Sequence, residues 1–291
     1  MDVLESFNLQ AWTGPFDEAD RARAIAALES GQVLFFPALA FSLRAEERAL
    51  LTPELSSGRA KNISLDPSGQ LKHQTGGAEQ NALLQAMMQR FATGAVALVS
   101  GLFPNYAAGL ERARTSYRPA EIAGRKYSPV HDDTRLHVDA FPTRPMRGRR
   151  IMRLFSNVHP DDLPRVWNVG EPFADMAGTM LPRVKTPPAI QSWINFLTHP
   201  ANGLRSPYDN LMLGLHDTAK LDMDYQRSTP KTEIKFPPGS TWLCYTDQVM
   251  HAALSGQFVL EQTFHLGIEA MAEPQRAPIR VLEKITGRTL A

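Results

Sequence analysis

The stretch Leu136-His-Val-Asp-Ala-Phe-Pro142 decides how the rest of the chain is interpreted. His137 and Asp139 are two residues apart, so on an extended strand their side chains point to the same face. An imidazole and a carboxylate then converge, and one more histidine would complete a two-histidine, one-carboxylate metal site. The tripeptide alone is weak evidence, because a chain with eight histidines can contain this spacing by chance.

Length and composition are typical of a globular protein. The 291 residues suit one large domain, and 43% hydrophobic with 21% charged residues is typical of a globular protein. A formal net charge of +1 predicts no general attraction to nucleic acid. The single cysteine, Cys244, excludes an internal disulfide and a cysteine-based zinc site, and it is compatible with a reducing compartment. The start Met1-Asp2-Val-Leu-Glu5 lacks the positive charge of a signal peptide, so we expect a cytoplasmic protein.

An uncharged stretch from Phe91 to Leu110 is long enough to span a bilayer. Glycines interrupt it, and Pro104 would break a helix. We therefore expect a buried helix that ends near Gly101.

Hydrophobic patterns divide the chain into a helical first part and a strand-rich second part. Helices are predicted at 17–30, 44–51, 78–101, 104–114, 172–180, 187–197 and 280–286, and strands at 33–36, 149–158, 232–236, 241–245 and 258–269. Residues 161–169 are expected to form a loop, and 206–228 a polar segment with a turn. Helices packed on one side of a mainly antiparallel two-sheet system are the expected architecture, of the α+β or mainly β class.

His251 is the best candidate for the third ligand. It follows the turn Pro237-Pro-Gly-Ser240 and the strand 241–245, an arrangement that delivers its side chain at a strand edge. It lies 112 positions after Asp139 (251 − 139), far enough for separate strands to bring the two together.

With a Pro-Pro-Gly-Ser-x-Trp turn before His251, this constellation resembles the Fe(II)/2-oxoglutarate dioxygenases. The strings Leu-His-Val-Asp-Ala-Phe-Pro-Thr-Arg-Pro, Arg-Val-Trp-Asn-Val-Gly-Glu-Pro-Phe and Thr-Asp-Gln-Val-Met-His more closely resemble the bacterial Kdo 3-hydroxylases. The resemblance implies a double-stranded β-helix (jelly roll) and a single domain over 1–291. Within it, 1–115 would be mainly helical, 116–270 the jelly-roll core and 271–291 a tail.

The resemblance also implies an activity: hydroxylation of the sugar acid Kdo at C3, giving Ko, in the lipid A-linked inner core of lipopolysaccharide. His137, Asp139 and His251 would bind Fe(II), with 2-oxoglutarate as cosubstrate and O2 as oxidant, and ascorbate would support the reaction. Two alternatives stay open. One is a dioxygenase of the same fold that acts on a protein side chain or another small acid. The other is a non-catalytic metal-binding barrel.

The sequence departs from many members of the broad family after the distal histidine. Many family members have an Arg or Lys after the distal histidine that pairs with 2-oxoglutarate. In this chain no Arg or Lys occurs between His251 and Glu269. A dianionic cosubstrate in a barrel needs a cation, and Arg153 is the best candidate. It shares one strand face with Arg149, Ile151, Phe155 and Asn157, next to the metal pair in sequence. The alternative for Arg153 is a structural salt bridge.

The resemblance makes further side chains candidates for binding. Arg118, Arg165 and Trp167 would suit a sugar acid, because Arg165-x-Trp167 presents a cation and a ring on one side of an extended segment. Gln248 could bond a substrate hydroxyl near the iron, and Tyr127 is a weaker candidate for the cosubstrate. Trp167 could equally be a core residue, and the two arginines could be solvated.

An acceptor attached to lipid A implies work at a membrane surface. We expect Kdo-lipid A as the partner and peripheral contact with the anionic cytoplasmic face of the inner membrane, through arginines such as Arg144, Arg147 and Arg149. We expect no nucleic-acid partner. A serine hydrolase is disfavoured because no Gly-x-Ser-x-Gly elbow occurs.

Overall fold

The computed structural model describes residues 2–58, 60–124, 127–185 and 204–290. The α-helices in these ranges are Glu18–Glu29 (α1), Ala78–Leu102 (α2), Phe173–Met180 (α3), Pro207–Leu221 (α4), Met223–Ser228 (α5) and Pro278–Thr286 (α6). The strands are Leu4–Ser6 (β1), Val33–Phe36 (β2), Ile63–Leu65 (β3), Leu71–Lys72 (β4), Leu110–Arg118 (β5), Arg150–Asn157 (β6), Arg165–Val169 (β7), Thr232–Phe236 (β8), Thr241–Tyr245 (β9), His251–Ser255 (β10) and Val259–Leu266 (β11).

The strands form two sheets. The larger has eight strands in the order β1-β2-β9-β6-β11-β5-β3-β4, and the smaller has three in the order β10-β7-β8. Only β1 and β2 pair in parallel, and the other pairs in the described ranges are antiparallel. The order jumps across the sequence, as expected when strands cross repeatedly between two facing sheets.

Aromatic side chains from both sheets fill the space between them. Phe155 and Trp242 belong to the larger sheet, and Trp167 and Phe236 to the smaller. Phe236 stacks on Trp242 with ring centroids 4.1 Å apart, and Trp167 meets Phe155 edge-on at 5.1 Å. Such pairs add to the stability that burial of apolar area provides. This layer fixes the spacing of the two sheets at one end of the barrel.

Helix α2 packs on the outer side of the larger sheet, against β5 and β11. By length and a mean hydropathy of 1.3 it could cross a membrane. However, nine of its side chains are buried: Leu84, Met87, Met88, Phe91, Ala92, Ala95, Leu98, Val99 and Leu102. This confirms the expectation of a buried helix that ends near Gly101.

Residues 104–114 were expected to be helical, and that prediction is wrong. A short 3₁₀ turn at Pro104–Tyr106 is followed by strand β5, which pairs with β3 on one side and β11 on the other. Arg, Glu and Ala favour a helix locally, but hydrogen bonding to two neighbouring strands overrides that preference.

Other segments also differ from expectation. Strand β7 lies in 161–169, where a loop was expected, and helices α4 and α5 occupy most of 206–228. Ser206 and Asp209 form a capping box that begins α4, a signal present in the sequence. Strand β2 has the bounds predicted for it, 33–36, whereas β1, β3 and β4 are additional strands in the part expected to be mainly helical, and all four join the larger sheet. The helix predicted at 187–197 lies outside the described residues.

Candidate metal centre

His137 and His251 are paired directly through their backbones. The N–H of His137 donates to the carbonyl of His251 at 3.0 Å, and the N–H of His251 donates to the carbonyl of His137 at 2.9 Å. Asp139 is held beside them, because its N–H donates to the carbonyl of Thr246 at 2.7 Å, in the turn between β9 and β10. Two distant segments of the chain are thus fixed in register at the point where the three side chains meet.

The side chains of His137, Asp139 and His251 each offer one ligand atom, and these atoms lie within 4.8 Å of one another. Each Nδ1 contacts a backbone carbonyl, that of Arg135 at 2.7 Å for His137 and that of Val249 at 2.8 Å for His251. With Nδ1–H donating to these carbonyls, each Nε2 is left free to bind a metal. Two imidazole nitrogens and a carboxylate suit Fe(II) and leave further coordination positions open.

The electrostatics favour the metal-binding protonation states. Burial, with His251 close by, lowers the pKa of His137, and burial lowers the pKa of His251 as well. Burial alone would raise the pKa of Asp139, but the Arg153 guanidinium and the two imidazoles outweigh it, so this pKa lies below its usual value. The centre therefore presents two neutral imidazoles and one carboxylate at neutral pH.

Two rings pack against the histidine ligands. Trp167 stacks on His251 with centroids 5.1 Å apart, and His216 from α4 meets His137 edge-on at 5.3 Å. His216 was not among the predicted site residues. Nothing in the sequence shows that α4, in a segment read as polar and turn-like, places its imidazole beside a ligand.

Arg118 from β5 and Arg153 from β6 share one buried acid, Glu261 of β11. Arg153 Nη1 lies 3.3 Å from Glu261 Oε1, and Arg118 Nε donates to Oε2 at 3.0 Å. Arg153 Nη2 also lies 3.1 Å from Asp139 Oδ2, although this oxygen receives no hydrogen bond of good geometry. Glu261 thus lies in the region after the distal histidine that lacks a base in this chain, and it compensates two arginines.

Arg165 from β7 differs, because its charge is not matched by an acid. The side chain is 3% exposed, and Nη1 donates to the carbonyl of Gly256 at 2.7 Å. Its Nε has no hydrogen-bond partner, and no carboxylate within the described ranges lies within 4 Å of the guanidinium. Burial, followed by the charge of Arg118, lowers the pKa of Arg165 to about 9. Such a buried cation is costly unless an anion binds to it.

Two cavities meet at the centre. The inner one, about 50 Å³, is lined by the three metal-site residues together with Arg118, Asp133, Arg153, Phe155, Arg165, Trp167 and Ala253. The outer one, about 480 Å³, also contacts Arg118, Asp133, Asp139 and Arg153, and it extends past β3, β5 and β11. The predicted binding residues Arg118, Arg153, Arg165 and Trp167 all face the inner cavity. Trp167 is also a core residue, so both interpretations of its position apply.

Gln248 does not face the centre, which corrects the prediction that it bonds a substrate hydroxyl. Its Oε1 accepts from Arg150 Nη2 at 2.6 Å, and its Nε2 donates to the carbonyl of Glu29 at 3.2 Å. It lines a separate cavity beside Gly31. Gln248 lies three residues before His251, but this spacing does not determine where its side chain points, because a turn separates the two residues.

Tyr127 also lies apart from the inner cavity. Its ring is 39% exposed, packs under the Lys61 ammonium at 5.1 Å and lines a small neighbouring cavity with Asp133. This position does not support the predicted contact with the cosubstrate.

A barrel of two sheets with a buried His/Asp/His centre and arginines around it defines a class, the non-heme Fe(II) dioxygenases that use 2-oxoglutarate. A family model described as 3-deoxy-D-manno-oct-2-ulosonic acid (Kdo) hydroxylase matches residues 11–289. The chain therefore belongs to the Kdo hydroxylase family. A search of curated proteins found no match.

Solved structures of the Kdo hydroxylase KdoO, a non-heme Fe(II) alpha-ketoglutarate dependent dioxygenase, are similar over their whole length. The complex with alpha-ketoglutarate and Fe(III) is 44% identical, with a TM-score of 0.96 over 100% of this chain and 98% of that chain. The cobalt(II) complex is 45% identical, with a TM-score of 0.96 over 99% and 97%. The complex with succinate and Fe(III) is 44% identical, with a TM-score of 0.95 over 99% and 97%. The jelly-roll fold, the enzyme class and the Fe(II)/2-oxoglutarate requirement are thereby confirmed.

Proposed function

We propose that this protein hydroxylates Kdo at C3, within Kdo-lipid A, and so produces the 3-hydroxy sugar acid Ko. The observation that carries the proposal is a buried His/Asp/His centre that opens into a cavity lined by arginines, in a chain of the Kdo hydroxylase family. A sugar acid is an anion with many hydroxyls, and a cavity of cations and polar side chains is complementary to it.

The chain's residues have separable roles at the centre. His137, Asp139 and His251 hold the iron, and the carbonyls of Arg135 and Val249 keep both imidazoles in the binding orientation. When bound, the iron and 2-oxoglutarate supply, with O2, the oxidation that converts a C–H bond to C–OH and releases succinate and carbon dioxide.

Arg165 is the cation best placed for the distal carboxylate of 2-oxoglutarate. Arg118 and Arg153 already share Glu261, whereas Arg165 has no acidic partner within the described residues. Arg165 lies two residues from Trp167 along β7, a separation of roughly 6.6 Å on a strand. Because Trp167 stacks on His251, a diacid that extends from the metal along β7 reaches Arg165. Arg118 and Arg153 line the same space and add positive charge.

The sugar acid is then expected in the outer cavity. This cavity reaches Asp139 and Arg153 at its inner end and opens to solvent at the other. The sugar can therefore approach from outside while the cosubstrate occupies the deeper space. Phe155 and Trp167 close the far wall and exclude water from the reacting groups.

The test is incubation of the purified protein with Fe(II), 2-oxoglutarate, ascorbate and O2, with Kdo-lipid A, free Kdo and an unrelated peptide as separate acceptors. We expect succinate release and a gain of one oxygen on Kdo by mass spectrometry, with the new hydroxyl at C3. Turnover of the peptide with no change in either Kdo acceptor would refute the proposal.

We further propose that the protein works at the cytoplasmic face of the inner membrane as a peripheral protein. Arg147 is exposed, whereas Arg149 is engaged with Glu111 at 2.8 Å and Arg144 lines the outer cavity, so Arg147 would contact anionic headgroups. Flotation with vesicles that contain anionic lipid should recover the protein at low salt and release it at high salt. Recovery that does not depend on lipid charge would contradict this placement.

A further inference from the structure

The outer cavity is larger and more cationic than binding of one carboxylate requires. Its volume is about 480 Å³, and its walls carry Lys61, Arg114, Arg118, Arg144 and Arg153 against three acids, Asp133, Asp139 and Glu261. Pockets of this size usually enclose a whole drug-sized ligand. Some of these cations are already paired with an acidic side chain of the protein.

Three of the five cations are paired. Lys61 Nζ lies 2.6 Å from Asp133 Oδ1, and Arg118 and Arg153 share Glu261. Arg114 on β5 and Arg144 in the loop after Asp139 have no carboxylate within 4 Å among the residues that the structure describes. Two guanidinium groups at the mouth of the cavity are thus left for solvent or a ligand.

Arg114 and Arg144 face the same space. Partial burial, followed by the charge of Arg144, lowers the pKa of Arg114. Both residues are exposed and both line the outer cavity, so an anion bound there would be attracted by two positive charges at once. Two arginines on one cavity therefore indicate an anion site more strongly than a single exposed arginine would.

His265 supplies an independent observation. His265 is 4% exposed, it lines the same cavity from β11, and its buried Nε2 has no hydrogen-bond partner among the described residues. Burial, followed by the charge of Arg149, lowers its pKa to about 4, so the ring is neutral at physiological pH. A neutral imidazole offers one donor and one acceptor, which suits a hydroxyl or a protonated oxygen of an anionic group.

We propose that Arg114, Arg144 and His265 form a second anion subsite, which binds a phosphate or carboxylate on the sugar next to the one that is hydroxylated. This deepens the proposed function and depends on it: the substrate class becomes a Kdo glycoside with an additional anionic group, rather than free Kdo. The two guanidinium groups bind the negative charge of the phosphate or carboxylate, and His265 forms a hydrogen bond with one of its oxygens.

The experiment compares soluble acceptors on the cobalt(II)- and 2-oxoglutarate-loaded protein, where no turnover occurs. The probes are Kdo methyl glycoside, a Kdo–glucosamine disaccharide with and without a phosphate on the glucosamine, and a Kdo disaccharide that carries a second carboxylate. Calorimetry gives each Kd. In the unaltered protein we expect the Kd of the phosphorylated or the dicarboxylate probe to be at least about tenfold lower than the Kd of the matching probe without the extra charge.

Arg114→Gln and Arg144→Gln should each bring that ratio of Kd values toward one, and His265→Asn should reduce it less. Arg227→Gln, which changes an exposed arginine on α5, is the matched control and should keep the ratio. A gain with phosphate but not with carboxylate identifies the phosphate as the recognised group, and the reverse identifies the second sugar acid.

A ratio near one in the unaltered protein, or a ratio that neither arginine substitution changes, overturns the subsite. The binding measurement is independent of turnover. If the subsite is present but no Kdo acceptor is hydroxylated by the iron-loaded enzyme, the proposed function fails while the anion subsite stands.

Discussion

Arg150 and Asp247 form an ion pair that is almost completely enclosed, with Arg150 Nε donating to Asp247 Oδ2 at 2.8 Å and neither side chain more than 1% exposed. The pair joins the start of β6 to the turn between β9 and β10. That same turn provides the Thr246 carbonyl that holds Asp139 and the Val249 carbonyl that orients His251. A buried charge pair therefore fixes the backbone that positions two of the three ligands.

Breaking this pair from one side should destabilise the protein strongly. Asp247→Ala leaves the Arg150 guanidinium buried without a counter-charge, so we expect the free energy of unfolding to fall by about 3–5 kcal/mol. Urea unfolding measures the change. The double variant Arg150→Met/Asp247→Leu should recover most of the loss, because it removes both charges. An Asp247→Ala protein as stable as the parent would show that the pair contributes little.

The metal ligands should be separable from other histidines by metal affinity. His251→Ala and Asp139→Asn should weaken cobalt(II) binding by at least about 100-fold, beyond the 10–100-fold typical of outer-sphere changes. Calorimetry and the visible absorption of bound cobalt are the measurements. The control His131→Asn alters an exposed histidine outside the centre. Equal affinity in His131→Asn and His251→Ala would remove His251 from the metal site.

Arg165 and Arg153 should differ in their effect on 2-oxoglutarate. Arg165→Gln should raise the KM for 2-oxoglutarate by about 10–100-fold, because it deletes a charge-assisted bond to a carboxylate. Arg153→Gln should instead tighten metal binding, because it removes a positive charge that lies 3.1 Å from the ligand carboxylate Asp139 and repels the metal ion. Succinate release against 2-oxoglutarate concentration, paired with cobalt(II) affinity, separates the two effects. A KM that Arg165→Gln leaves unchanged assigns the distal carboxylate to another residue.

His265 should make the protein less stable as the pH falls. Its pKa is lowered in the folded state, by burial first and then by Arg149, to about 4. The unfolded chain therefore binds a proton near pH 6.5 that the folded chain does not. The contribution of His265 to the free energy of unfolding is fully present above about pH 6.5. It declines by about 1.4 kcal/mol per pH unit between roughly pH 6.5 and 4.

Urea unfolding of the parent and of His265→Gln at pH 7.5 and at pH 5 isolates this contribution. The parent should lose about 2 kcal/mol more than the variant between these pH values. Other groups titrate equally in both proteins, so they cancel in the difference. An identical loss in the two proteins would show that His265 does not resist protonation in the folded state.

The metal site was predictable from the sequence because its chemistry is local and its spacing is constrained. The spacing of His137 and Asp139 predicted side chains on one side of an extended segment, where the structure forms an isolated bridge between His137 and His251 rather than a strand. The turn before His251 delivers it to the start of β10. The jelly roll followed from the same residues through the family resemblance. The structure then placed Arg118, Arg153, Arg165 and Trp167 at the inner cavity, although only Arg153 lay on a predicted strand.

What the sequence did not predict depends on side-chain direction and on partners far along the chain. Gln248 was assigned to the substrate from its spacing to His251, but a turn points it toward Arg150. Residues 110–114, the first part of β5, were predicted to be helical because Glu and Arg favour a helix, although pairing on both edges decides the conformation of this strand. The distinct state of Arg165 could not be seen either, because it depends on which arginines Glu261 compensates.

Glu261 has a consequence for how such an enzyme could change during evolution. The strand that supplies a base in many dioxygenases supplies an acid here, and the arginines come from the strands on either side. Replacing Glu261 by arginine alone would remove the acid that Arg118 and Arg153 share and add a third guanidinium group beside them, so this single substitution does not convert one arrangement into the other. The acid on β11 and the arginines on β5 and β6 therefore depend on one another, and moving the positive charge to β11 requires changes on several strands at once.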